Sequence, residues 1–169
     1  PLEGLDISMS ARLTDNSDYG SKTTGRLSIA RQAGPSSILR ASIGTGFRAP
    51  SLYELYDASY GNRALQPETS QSAEIGFEHV MGRVTFEAGL FQTRITDLIQ
   101  YTTGYNQVPG TSRTDGYQLG LSYIFLNDAE IDLNYTSTDA RAADGARLAR
   151  VPRHDLSLNA STPLGQRTT

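Results

Sequence analysis

The sequence predicts an all-β fold whose antiparallel strands cross a membrane as part of a β-barrel, and three observations carry that prediction. Apolar and polar residues alternate with period two in segment after segment, as strands with two different faces require. Long polar connections take turns with tight ones along the chain, and the charged side chains gather on one side of the alternation.

Eight strands are expected, near residues 5 to 14, 24 to 33, 36 to 45, 70 to 80, 83 to 99, 114 to 126, 129 to 138 and 152 to 162. The first sets Leu5, Ile7, Met9, Ala11 and Leu13 against Asp6, Ser8, Ser10 and Arg12, and the second carries Leu27 and Ile29. The third opposes Leu39, Ala41 and Ile43 to Arg40, Ser42 and Gly44, and the fourth opposes Ala73, Ile75 and Phe77 to Glu74, Gly76 and Glu78. Val84, Phe86, Ala88 and Leu90 continue the series, then Tyr117, Leu119, Leu121, Tyr123 and Phe125. Ile131, Leu133 and Tyr135, and finally Leu156, Leu158 and Ala160, complete it. Most of these segments reach the roughly 9 to 11 residues that a tilted strand needs to span a bilayer.

The links near 15 to 23, 46 to 69, 100 to 113 and 139 to 151 are long, whereas those near 34 to 35, 81 to 82 and 127 to 128 are tight. Long loops at one end and short turns at the other are the pattern of outer-membrane barrels. Asp6, Arg12, Arg40, Glu74, Glu78 and Glu87 fall on the polar face, where they avoid the roughly 2 to 4 kcal/mol that an Arg or Lys costs at the lipid midplane. Arg31 and His79 fall on the apolar face, each at the turn end of its strand, within reach of headgroups. Tyr117 and Phe125 share that face about 20 Å apart along the axis, as two aromatic girdles would be. A soluble sandwich with the apolar face turned inward is the bland alternative, but it needs no strict alternation of loop lengths.

Composition narrows the function. Hydrophobic residues make up 37% of the 169-residue chain, mean hydropathy is -0.40, and no run nears the roughly 18 apolar residues of a membrane-spanning helix. A net charge of -3 with scattered basic residues argues against a nucleic-acid partner. The chain has no cysteine, which removes disulfides and thiolate metal sites. His79 and His154 lie far apart without a further ligand at metal spacing, and no nucleophile, base and acid come together as a motif. No metal site, cofactor, catalytic residue or enzymatic activity is therefore expected. Gly44-x-Gly46 runs into Phe47-Arg48-Ala49-Pro50 rather than a helix, so it reads as a strand end and not a phosphate cradle.

The most specific stretch is Gly44-Thr45-Gly46-Phe47-Arg48-Ala49-Pro50, followed by Tyr60-Gly61-Asn62, Leu65, Pro67-Glu68 and Gly76-Phe77-Glu78. It resembles the TonB-dependent receptor family, in which a strand ends in G-x-[GS]-[FY]-[KR]-A-P, crosses a loop containing G-N-P-x-L-x-P-E, and returns as a strand ending in G-x-E. Arg63 stands where the family usually has proline, which leaves that turn without a fixed φ. Thr96-Asp97-Leu98-Ile99, Gly116-Tyr117-Gln118 and Arg150-Val151-Pro152-Arg153-His154 resemble later family elements, and the spacing is nearest the vitamin B12 receptor branch. The resemblance covers nearly the whole chain. It implies eight strands of a 22-stranded barrel in a Gram-negative outer membrane, with residues 1 to 169 forming a partial barrel domain and the plug, the coupling box and the final strand outside it. It also implies outer-membrane lipid, a TonB-type energy-coupling protein reached through the N-terminal region, and cobalamin or a ferric siderophore as partners. The chain shows no basic and apolar leader at Pro1 and is expected to be a fragment or processed product. A self-contained eight-stranded barrel with a structural or adhesive role is the competing reading.

Candidate ligand contacts are the loop residues Arg48, Tyr53, Tyr56, Tyr60 and Arg63, because aromatic and cationic groups suit both corrin and iron-chelate surfaces. The competing expectation is that they only order a long loop.

Overall fold

The computed structural model describes residues 4–17 and 19–163. Eight antiparallel strands form one sheet in sequence order: β1 (Leu5–Thr14), β2 (Lys22–Gln32), β3 (Ser37–Arg48), β4 (Glu68–Met81), β5 (Val84–Tyr101), β6 (Tyr105–Ile124), β7 (Glu130–Arg141) and β8 (His154–Ser161). A single short helix, α1 (Leu52–Tyr56), lies in the β3–β4 connection. Every expected strand is present.

Register turns the local alternation into continuous rows. Ile7 faces Ile29, Ile29 faces Ala41, Ala41 faces Ile75, Ile75 faces Leu90 and Leu90 faces Tyr117, so one apolar band crosses the sheet. Leu121, Leu133 and Leu158 extend it to β8. No second layer covers the band among the described residues: Met9 is 83% exposed and Leu158 69%. A large aliphatic left in water forgoes about 1.5 to 3 kcal/mol, so the band needs an apolar surrounding. A sandwich would supply one from a second sheet, and the described residues form only one sheet.

The opposite face is polar and laced across strands. Arg26 donates to Ser42 at 2.9 Å and reaches Glu74 at 3.5 Å, and Arg40 pairs with Glu78 at 2.7 Å. Gly116 has no side chain on this face because the Phe91 ring and the Ser137 carbonyl oxygen fill the space a Cβ would take. The aromatic ring thus covers backbone that glycine leaves bare.

The turns at one end are short. Gly82-Arg83 alone joins β4 to β5, with Gly82 at φ +63, the first-position glycine of a tight hairpin turn. Phe125 lies just past the end of β6 and packs against Tyr123 at 4.7 Å, while Tyr117 meets Tyr135 at 5.9 Å further up the same face. Aromatic pairs therefore flank the apolar band on β6 and β7.

One expectation requires correction. The link near 100 to 113 is not a loop: β5 runs on to Tyr101 and β6 begins at Tyr105, which leaves only residues 102–104 as the tip. Pro109 and Gly110 sit opposite Asp97 at a register shift between Thr96 and Leu98, a bulge that needs no ladder donor from proline. The 18 and 20 residues of β5 and β6 exceed the bilayer requirement and carry the hairpin on the order of 20 Å past it. The eighth strand is also shorter than expected, His154–Ser161.

Candidate functional site

The β3–β4 connection lies down on the protruding β5–β6 hairpin, and the residues that attach it are mostly polar. Ser51 caps α1: its hydroxyl accepts from the Glu54 N–H at 3.2 Å while its own N–H donates to the Glu54 carboxylate at 2.7 Å, a reciprocal capping box. Arg48, at the end of β3, clasps both Glu54 oxygens through Nη1 at 3.1 and 3.0 Å. Its other edge grips Glu68, with Nε to Oε2 at 3.0 Å and Nη2 to Oε1 at 2.8 Å. Glu68 is buried and also accepts the Ile99 N–H at 2.6 Å. One arginine therefore ties together the loop's two roots, its helix and, through Glu68, the hairpin.

Electrostatics follow the contacts. The Glu68 bonds push the Arg48 guanidinium above its ordinary range although burial opposes them. Burial alone would raise the Glu54 carboxyl, but the Ser51 N–H, the Arg48 bonds and the Ser51 hydroxyl outweigh it and hold the group below its ordinary 4.5.

Beyond this clasp the loop turns back on itself. Asp57 Oδ1 accepts the N–H groups of Ser59 and Tyr60, and Asn62 Oδ1 accepts that of Ala64 at 3.0 Å. Asn62 thus closes the turn that contains Arg63. Asn62 Nδ2 donates to the Tyr105 carbonyl at 3.1 Å, and Gln107 exchanges bonds with both backbone groups of Gln66 at 3.1 and 2.8 Å. Leu65 and Ile99 are buried in the seam.

This docking assembles an aromatic cluster. Tyr60 meets Tyr101 at 5.6 Å, Tyr101 meets Tyr105 at 5.2 Å and Tyr53 meets Tyr105 at 6.0 Å, all near edge-to-face, the arrangement favoured by ring quadrupoles. Tyr56 lies apart with the Arg63 guanidinium 5.1 Å over its ring. Tyr53, Tyr56, Tyr60 and Tyr101 stay exposed. The Asp57 charge raises the Tyr53 hydroxyl, and desolvation, then Tyr60, raises that of Tyr101, which moves both further from ionisation. The result is a fixed platform of ring faces and hydroxyls, suited to a bulky conjugated ligand.

Of the expected contacts, Tyr53 and Tyr60 belong to the cluster, Tyr56 and Arg63 form a separate pair, and Arg48 is engaged in the clasp. Tyr101 and Tyr105 were missed by sequence reasoning, although two tyrosines flanking Thr102-Thr103-Gly104 were a signal for an aromatic hairpin tip. His79 bonds Ser37 and His154 bonds Tyr135, each at 2.8 Å. Among the described residues no group of three His, Asp or Glu could hold a metal ion.

The family model described as TonB dependent receptor-like, beta-barrel matches residues 1–166. The vitamin B12 transporter BtuB of Vibrio cholerae is 34% identical over 160 residues, covering 91% of this chain and 26% of the relative. The chain thus spans about a quarter of that relative's length. Among solved structures, the siderophore receptor PirA of Acinetobacter baumannii superimposes with a TM-score of 0.81 at 17% identity over 96% of this chain and 29% of its own. A mutant ferric enterobactin receptor of Pseudomonas aeruginosa in complex with enterobactin has the same TM-score and identity, with the same shares covered. At such identity these two structures speak for the fold.

Proposed function

Because the chain belongs to the TonB-dependent receptor β-barrel family, we propose that it forms wall and outer loops of an active importer in a Gram-negative outer membrane. The cargo is vitamin B12 or a ferric siderophore, and a TonB-type protein of the inner membrane supplies the energy through parts of the receptor outside this chain. No chemistry is performed on the cargo. The uncovered apolar band marks the lipid side, the laced polar face lines the lumen, and the tyrosine platform stands at the outer mouth.

The observation that carries this reading is the loop clasped onto the protruding hairpin, because it fixes exposed tyrosines where a bulky ligand arrives. Of the two cargo classes cobalamin stands first, since 34% identity to a vitamin B12 transporter exceeds the 17% to the siderophore receptors. The competing eight-stranded barrel is disfavoured: among the described residues β1 pairs only with β2 and β8 only with β7, so the sheet has two open edges that need further strands.

The test is titration of the full-length receptor in detergent with cyanocobalamin and a panel of ferric siderophores. Tight binding of one cargo is expected, weakened at least tenfold by Tyr53→Ala together with Tyr101→Ala. Binding of none of them would overturn the proposal.

A further inference from the structure

Register places four arginines side by side at one level of the sheet. Arg94 on β5 faces Arg113 on β6, Arg113 faces Arg141 on β7, and Arg141 bridges to Arg147 in the following connection. Paired residues share a face, and Leu90, Tyr117 and Tyr135 lie on the same one, so the row belongs to the apolar side. Strands lie about 4.8 Å apart, which brings the four cations within about 15 Å. All four are exposed.

Directly beneath, Asp115 and Asp139 face each other. Arg113 Nε reaches Asp115 at 2.5 Å and Arg141 Nε reaches Asp139 at 2.9 Å. Each aspartate engages the Nε edge, and Asp115 is further held by Gln92 at 2.7 Å. Among the described residues no hydrogen bond reaches the Arg113 Nη groups and Arg94 has no ion pair, whereas Arg141 donates Nη1 to the Gly145 carbonyl at 3.2 Å and the charges of Arg147 and Arg153 act on Asp139 without a direct bond. Four arginines over two aspartates leave a net charge of about +2 at the site. Below the aspartates come the Tyr117–Tyr135 pair and then the apolar band. Tyrosines of this kind mark the membrane–water interface, so the row above them lies at headgroup depth on the long-loop side.

We propose that Arg94, Arg113, Arg141 and Arg147 form a belt that binds the phosphate of a lipid headgroup in the outer leaflet. Guanidinium forks match phosphate oxygens in pairs, and a row of them spans more than one phosphate. The two aspartates hold the Nε edges of Arg113 and Arg141 and offset part of the charge, leaving the surplus for phosphate. The belt rests on the barrel reading, because only there does this face meet lipid.

The test uses the full-length receptor in a non-ionic detergent, with phosphatidic acid, a phosphate-free galactolipid and inorganic phosphate as probes, read by native mass spectrometry. Phosphatidic acid should be retained at least tenfold better than the galactolipid, and the combined Arg94→Gln, Arg113→Gln and Arg141→Gln variant should lose that preference. Asp115→Asn frees Arg113 and should tighten retention severalfold, which keeps the proposal open to test if the triple variant does not fold. Millimolar inorganic phosphate should leave the lipid in place. Equal retention of both lipids by the unaltered protein, unchanged retention in both variants, or displacement by inorganic phosphate overturns the belt. Solubility without detergent would instead overturn the barrel reading beneath it.

Discussion

The sheet and the loop end of this chain are stabilised by different means. Along the membrane-spanning rows hardly any side chain is buried, and the apolar band stays exposed until lipid covers it. At the loop end Leu65, Glu68 and Ile99 are buried around a cluster of ion pairs and backbone bonds. The wall depends on its solvent, whereas the loop brings its own partners. Under the proposed function the division is useful, since the wall tolerates any apolar surroundings while a ligand platform must keep one geometry in water.

The largest effect should come from exchanging the two solvents at neighbouring residues. Leu119→Arg puts a cation on the apolar face and should cost about 2 to 4 kcal/mol in lipid, whereas Gln118→Arg on the polar face should cost less than about 1 kcal/mol. Denaturant unfolding in vesicles measures both, and equal costs would break the assignment of faces.

A smaller and local effect is expected at the clasp. Arg48→Leu leaves the buried Glu68 carboxylate without its cation, which costs about 2 to 3 kcal/mol once partial solvent exposure is allowed for. Hydrogen exchange should quicken in residues 49–67 while the amides of β4 and β5 within the band keep their protection. Quickening throughout the sheet would mean that loop and wall are one cooperative unit.

The wall was legible in the sequence because its signal is local: alternation within Leu5 to Leu13 or Tyr117 to Phe125 shows a strand and its faces without knowledge of neighbours. The platform was half legible. Tyr53, Tyr56 and Tyr60 stood out as loop aromatics, but Tyr101 and Tyr105, the ring partners of Tyr60 and Tyr53, lie on the hairpin, joined to the loop by contacts such as Asn62 to Tyr105 across 43 residues and Gln66 to Gln107 across 41. The hairpin was read as a long link near 100 to 113, since the bulge at Pro109 and Gly110 opposite Asp97 is set by pairing with β5 and a bulge and a break look alike in one sequence. The arginine row was invisible for the same kind of reason, because only register sets Arg94, Arg113 and Arg141 abreast.

The smallest effect concerns acid. Glu54 is held below its ordinary 4.5, so its contribution to loop order is fully present above about that pH and fades as pH falls through the lowered value. The clasp should therefore hold through weakly acidic conditions and loosen only below the ordinary carboxylate range, with Glu54→Gln removing this step. Hydrogen exchange of residues 51 to 57 against pH reads it, and loosening between pH 6 and 7 would contradict the assigned direction.

Whether cargo settles on the tyrosine platform is read most directly by hydrogen exchange of the full-length receptor in lipid with and without saturating cyanocobalamin or ferric siderophore. New protection is expected in residues 52 to 63 and 99 to 107 and none in the rows of the apolar band. Bound cargo that leaves both segments unchanged would contradict that placement.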